Sequence, residues 1–153
     1  MAPRRRVFYS AGTASAFTRW PPTQGTPRHV EVPEADRTDG YAVTTTVVDR
    51  AGGVRAVQRA DNAGPHTLEA SRLKACTSAS AKDNKLAMME TAQKNPGAAN
   101  LVNIPGFLLL GGGVPVKVGN EVIGADGIGG APAGNLDEQC AIATFDKVKD
   151  SLK

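Results

Sequence analysis

The chain is predicted to fold as an α+β domain built on an antiparallel sheet. Three observations predict this. Strand-like runs come in hairpins, helical segments are segregated from them, and the element order reads ββααβββα. With 153 residues, 41% of them hydrophobic, the chain fits one domain with a sizeable core. Only 5% is aromatic, so the core rests on Val, Leu, Ile and Ala, with glycine allowing close packing.

Residues 42–48 (Ala-Val-Thr-Thr-Thr-Val-Val) are rich in β-branched side chains and predict a strand. Asp49-Arg-Ala-Gly-Gly53 is a turn, and residues 54–59 alternate apolar and polar as the returning strand. After the Asp61-Asn-Ala-Gly-Pro65 loop, a helix is expected over about 66–80, with Leu68, Ala75, Cys76 and Ala79 on its buried face. Asp83 is placed to cap a second helix over 84–94, which Asn95-Pro-Gly97 stops. Phe107-Leu-Leu-Leu110 reads as a short buried strand. Residues 115–118 and 121–128 read as two more, joined at Gly119-Asn120. Asn135 and Glu138 have capping-box spacing for a last helix, with Leu136, Cys140, Ala143 and Val148 as its buried stripe.

Residues 1–38 stand apart as an irregular or disordered segment, leaving 39–153 as the domain. The segment holds half of the prolines, six Arg and three acidic residues, so its charge is +3. The remainder holds twelve basic and twelve acidic residues, so its charge is zero. A body without a basic bias argues against nucleic-acid binding. No apolar stretch is long enough to span a membrane. Arg4-Arg5-Arg6 is followed by no apolar core of a signal peptide, so a cytoplasmic location is expected. Cys76 and Cys140, far apart and without CxxC spacing, suggest neither a disulfide framework nor a zinc site. They are expected to be small buried residues.

The residues that could carry chemistry are few. Gly111-Gly-Gly113 could form a nest of backbone N–H groups for an anion, or a tight strand crossing where side chains would clash. It lacks the Lys-Ser/Thr of a phosphate loop. His66, after the Gly-Pro turn, could offer a neutral imidazole to iron or another metal, or serve as a capping or surface residue. Lys74 and Thr77 follow it by about two and three helical turns, so one face could present imidazole, ammonium and hydroxyl in a row, or be a solvated edge. Glu31 and Glu34 have ExxE spacing, although Pro33 disfavours a helix there. Asp137 and Glu138 are expected to stabilise a helix N-terminus. No nucleophile–base–acid set is legible.

Several separated motifs resemble the GlcG/HbpS-like haem-binding family over roughly residues 39–150. They are Val47-Val-Asp-Arg-Ala-Gly52, Asp61-Asn-Ala-Gly-Pro65, Glu69 with Lys74-Ala-Cys-Thr-Ser78, Gly111-Gly-Gly-Val-Pro115, Glu121-Val-Ile-Gly124 and Gly129-Gly-Ala-Pro-Ala-Gly-Asn-Leu-Asp-Glu138. The resemblance implies a five-stranded antiparallel sheet flanked by helices, and a homo-oligomer. It implies haem as cofactor in some members; with haem bound, the residues above make His66 the expected iron ligand, with Lys74, Thr77, Gly112 and Gly113 beside it. For some members it implies haem breakdown that releases iron. For others it implies an accessory role beside glycolate oxidation or corrinoid metabolism.

The chain departs from that pattern in places. Members begin with an amphipathic helix, which residues 1–38 do not resemble, and secreted members carry a signal peptide. Asp126 stands in a strand where the family has an apolar residue, so it must face a pocket or find a partner. Asn84-Lys85 stands where many members carry Pro-Thr, so no ligand role transfers to that position.

Overall fold

The computed structural model describes residues 40–148, plus the backbone of two two-residue strands, Ser15–Ala16 and Val30–Glu31, which pair antiparallel. The rest of the expected irregular segment, with Glu34, lies outside the described residues. The domain comprises β1 (Thr44–Asp49), β2 (Val54–Arg59), α1 (Thr67–Ala81), α2 (Lys85–Lys94), a 3-10 turn (Ala99–Asn103), β3 (Gly113–Val118), β4 (Glu121–Gly129) and α3 (Gly134–Val148). The main sheet is antiparallel, in the order β2-β1-β4-β3.

Register fixes the two faces of the sheet. Thr44, Thr46 and Val48 lie opposite Gly129, Gly127 and Ala125, so these six share one face. Helix α1 covers that face. Its Thr67 and Ser71 hydroxyls each share a 2.7 Å hydrogen bond with Thr44 and Thr46, and Ala75 and Ala79 pack on Val48 and Ala125. The approach is close enough that a Cβ on Gly127 would sit 2.1 Å from the Ser71 carbonyl oxygen. The opposite face carries Ile128 and Val114, which pack with Val43 against Cys140 and Ala141 of α3. Farther along, Phe145 joins Val116 and Ile123.

The β1–β2 turn is pinned by Asp49. One carboxylate oxygen accepts the Ala51 and Gly53 amides, each at 2.9 Å, and the other accepts Arg55 Nε at 2.8 Å. Gly52 there takes φ +80°, which suits glycine.

The main sheet has four strands among the described residues, where five were expected. Phe107–Leu110 is not one of them. Its backbone is engaged elsewhere: the Phe107 amide turns back to the Ile104 carbonyl, and the Leu108 amide donates to Thr77 Oγ1 at 2.9 Å. A short apolar run flanked by Pro and Gly does not by itself distinguish a strand from a packed loop.

The expected helix faces also change. Leu68 is 47% exposed, because α1 meets the sheet through small and hydroxyl residues. On α3, Leu136 is half-buried and Ala143 exposed, while Asp137, Glu138, Cys140, Ala141 and Thr144 are buried. The Val148 side chain lies outside the described residues. Cys140 is buried as expected, whereas Cys76 is half-buried. Asn84, not Asp83, is the N-cap residue of α2. Asn135 lies inside α3, and Glu138 reaches another helix rather than closing a capping box. No helix among the described residues is long and apolar enough to cross a membrane.

Candidate functional site

The separated sequence motifs converge on one buried polar cluster. Lys74 of α1 is fully buried. Its ammonium donates to Asp137 Oδ2 at 2.6 Å and to the Ile128 carbonyl at 3.0 Å. The other Asp137 oxygen accepts the Ala131 amide at 2.9 Å. The adjacent Glu138 Oε2 accepts the Leu86 amide at 2.7 Å and the Gly112 amide at 3.3 Å. Glu138 of α3 thus caps α2, supplying an acceptor to a helix start whose Asn84 makes no side-chain cap bond. Asp137 and Glu138 do serve helix and loop amides, but through tertiary contacts.

Gly112 shows why the triple glycine is required. It takes φ +114°, and a Cβ there would lie 2.6 Å from Asp137 Cβ and 3.0 Å from Lys74 Nζ. Gly111–Gly113 is a close-packed crossing, but it meets residues of α1, α2 and α3 more than a crossing strand. Among the described residues, the Gly112 amide meets an anion of the chain itself, Glu138 Oε2, at 3.3 Å.

Lys85 and Asp126 are buried as well. Lys85 opens α2 with its stem against Gly113, where a Cβ would lie 2.5 Å from Lys85 Cγ. Its Nζ meets Met88 Sδ and lies 5.6 Å from the centre of the Phe107 ring. Burial lowers its ammonium to about 8, partly offset by the Asp83 and Glu138 carboxylates. Asp126, on the α3 face of β4, has Oδ1 without a hydrogen-bond partner. Burial pushes its carboxyl up to about 7, with the Gly127 amide opposing the shift. The sequence required Asp126 to face a pocket or find a partner, and burial instead favours its neutral form. Thr45 Oγ1, on the same face, is likewise buried without a partner.

The expected row of His66, Lys74 and Thr77 does not form. Eight residues overshoot two helical turns by about 80°, which turns Lys74 inward to the sheet. Thr77 lies nearer the line of His66, but its hydroxyl donates to the Leu73 carbonyl at 2.7 Å and accepts the Leu108 amide. His66 is exposed at the N-cap of α1 and makes no side-chain cap bond. Its ring folds over Gly64, where a Cβ would lie 3.1 Å from His66 Cε1 and 3.4 Å from Nδ1. The imidazole is therefore positioned without being spent on the fold. Gly112 and Gly113 lie with Lys74 and Lys85 in the cluster, separate from any exposed ligand. No group of three or more His, Cys, Asp or Glu among the described residues could hold a metal ion by itself.

Sequence reasoning missed the Lys74–Asp137 pair and the burial of Lys85. The replacement of Pro-Thr by Asn84-Lys85 was the one signal at the second position.

Comparisons with known proteins agree with this architecture. Residues 31–146 match the family model described as haem degrading protein HbpS-like. A double mutant of HbpS from Streptomyces reticuli is 35% identical, with 72% of this chain and 73% of that chain covered and a TM-score of 0.67. The Klebsiella pneumoniae protein ORFY is 30% identical, with 69% and 74% covered and a TM-score of 0.65. A PduOC:haem complex shares the fold at 22% identity, with 69% and 78% covered and a TM-score of 0.61. No curated protein matches the chain. The match over residues 31–146, with the glycine and acidic motifs meeting in one buried cluster, places this chain in the HbpS-like family.

Proposed function

We propose that this protein binds haem, with His66 as the iron ligand. One observation carries the assignment: His66 is an exposed imidazole, held over Gly64 and free of structural hydrogen bonds. The donor chemistry fits, since neutral imidazole is a common haem ligand. Haem would supply redox-active iron, and the protein's part is to bind and orient it. In this reading Lys74, Thr77, Gly112 and Gly113 hold α1, the 107–113 segment and α3 together, and so set the position of the helix that starts at His66.

The family's description and the haem complex formed by a protein of this fold support the proposal. Binding is preferred over breakdown because the free imidazole accounts for holding haem without any further group. A homo-oligomer belongs to the same proposal. Edge strand β2 leaves Val54 48% and Val57 45% exposed, apolar surface suited to a subunit contact.

Haemin titration followed by absorbance tests the proposal. A saturable Soret shift in wild type, altered in position or lost in His66→Ala, is expected. No shift in wild type would refute binding, and an unchanged shift in the variant would remove His66 as ligand. Adding a reductant and oxygen then separates a stable complex from haem breakdown, which would bleach the Soret band.

A further inference from the structure

Lys74 and Lys85 are both fully buried, yet they differ in what they meet. Lys74 has a carboxylate at 2.6 Å, whereas Lys85 has a thioether and an aromatic ring. The acids near Lys85 each give one oxygen to backbone. Glu138 Oε2 accepts two amides, and Asp83 Oδ1 accepts the Asn84 amide at 2.8 Å. Lys85 also opens a helix, the end at which the macrodipole disfavours a cation. Burial and the helix start favour the neutral amine, and they outweigh the Asp83 and Glu138 carboxylates, which favour the ammonium.

We propose that Lys85 is a nucleophile for carbonyl compounds, taking a small apolar aldehyde or ketone as an imine in a site walled by Met88, Phe107 and Gly113. Desolvated lysines in apolar pockets are the ones that form Schiff bases. The lone pair of Nζ adds to the carbonyl carbon. The carbonyl oxygen then leaves as water with both amine protons, and a C=N bond remains. The step needs no oxidant or reductant.

Access runs through Phe107. It belongs to the stretch 95–110, which contributes no strand to the sheet and no fully buried residue. Displacing its ring uncovers Nζ while the sheet and α1 stay intact. Met88, Phe107 and Gly113 are uncharged, which suits an apolar tail, while the charged groups that face the amine, Asp83 and Glu138, favour its ammonium.

An ammonium that titrates near 8 is about 10% neutral at pH 7, against about 0.03% for an ordinary lysine, a roughly 300-fold advantage in reactive form. The test treats the whole protein at pH 7 with limiting butyraldehyde and sodium cyanoborohydride. Peptide mass spectrometry then ranks the alkylated lysines. Lys85 is expected to react at least about tenfold faster than the exposed Lys82, Lys94 and Lys117. Its rate should rise through about pH 8, and Phe107→Ala should raise it further. Lys85→Arg should remove the leading adduct. Reaction of Lys85 no faster than Lys82 in wild type would overturn the proposal, as would a rate that climbs only toward pH 10.5. The assay contains no haem, so its outcome is separate from that of the haemin titration.

Discussion

Asp126 should make the protein less stable at neutral pH than in mild acid. Its carboxyl is buried in the sheet with Oδ1 unpaired, and burial moves it from 3.8 to about 7. The folded chain therefore keeps this proton up to about pH 7, while the unfolded chain releases it near 3.8. Stability from this group is full below pH 3.8 and is lost as pH rises toward 7. One pH unit corresponds to about 1.4 kcal/mol, so the whole shift is worth about 4 kcal/mol. Between pH 5 and 7.5 the loss is about 2.5 kcal/mol. Urea denaturation followed by circular dichroism at the two pH values measures it. Asp126→Val should remove this loss and gain about 4 kcal/mol over wild type at pH 7.5. If wild type and variant lose stability in parallel between these pH values, the argument from burial is wrong.

Two other substitutions probe the packing. Lys74→Ala leaves the Asp137 carboxylate buried without its cation and should cost about 3–5 kcal/mol. The double variant Lys74→Met with Asp137→Leu should recover most of that loss in the same denaturation assay, and failure to recover would show that the pair does more than neutralise itself. Gly127→Ala drives a methyl into the Ser71 carbonyl and should lower the melting temperature by more than about 10 °C or prevent folding. A melting temperature within about 2 °C of wild type would mean that α1 does not lie on β4 as described.

Much of the scaffold was legible because it is written locally. The β-branched run Thr44–Val48, the Asp49–Gly53 turn and the Gly119-Asn120 hairpin each carry their signal within a few residues. Both helices after Pro65 were placed to within about two residues, the usual latitude at helix ends. The faces were harder to read. Helix α1 packs through Thr67, Ser71 and Ala75 over glycines of β4, and apolar periodicity is silent when small and hydroxyl residues form the contact. Phe107–Leu110 looked like a strand because a short apolar run gives no hint that Thr77 and the Lys85 pocket will claim it. The cluster was hidden for a different reason. Lys74 and Asp137 are separated by 63 residues, and nothing local says which acid a lysine will meet. The place of His66 was legible because its glycine–proline turn sets it at a helix start.

The bond from Lys74 to Asp137 joins helices that lie on opposite faces of the sheet. Its consequence concerns cooperativity. If the first turn of α3 frayed alone, it would strand the Lys74 ammonium and free the Gly112 and Leu86 amides at once. Partial opening is therefore penalised on both faces together, and α1 and α3 should behave as one unit of unfolding. A four-stranded sheet with exposed Val54 and Val57 on its edge strand would otherwise be free to lose one helical layer and keep the other. The ion pair beside Gly112 makes the two layers leave together or stay together.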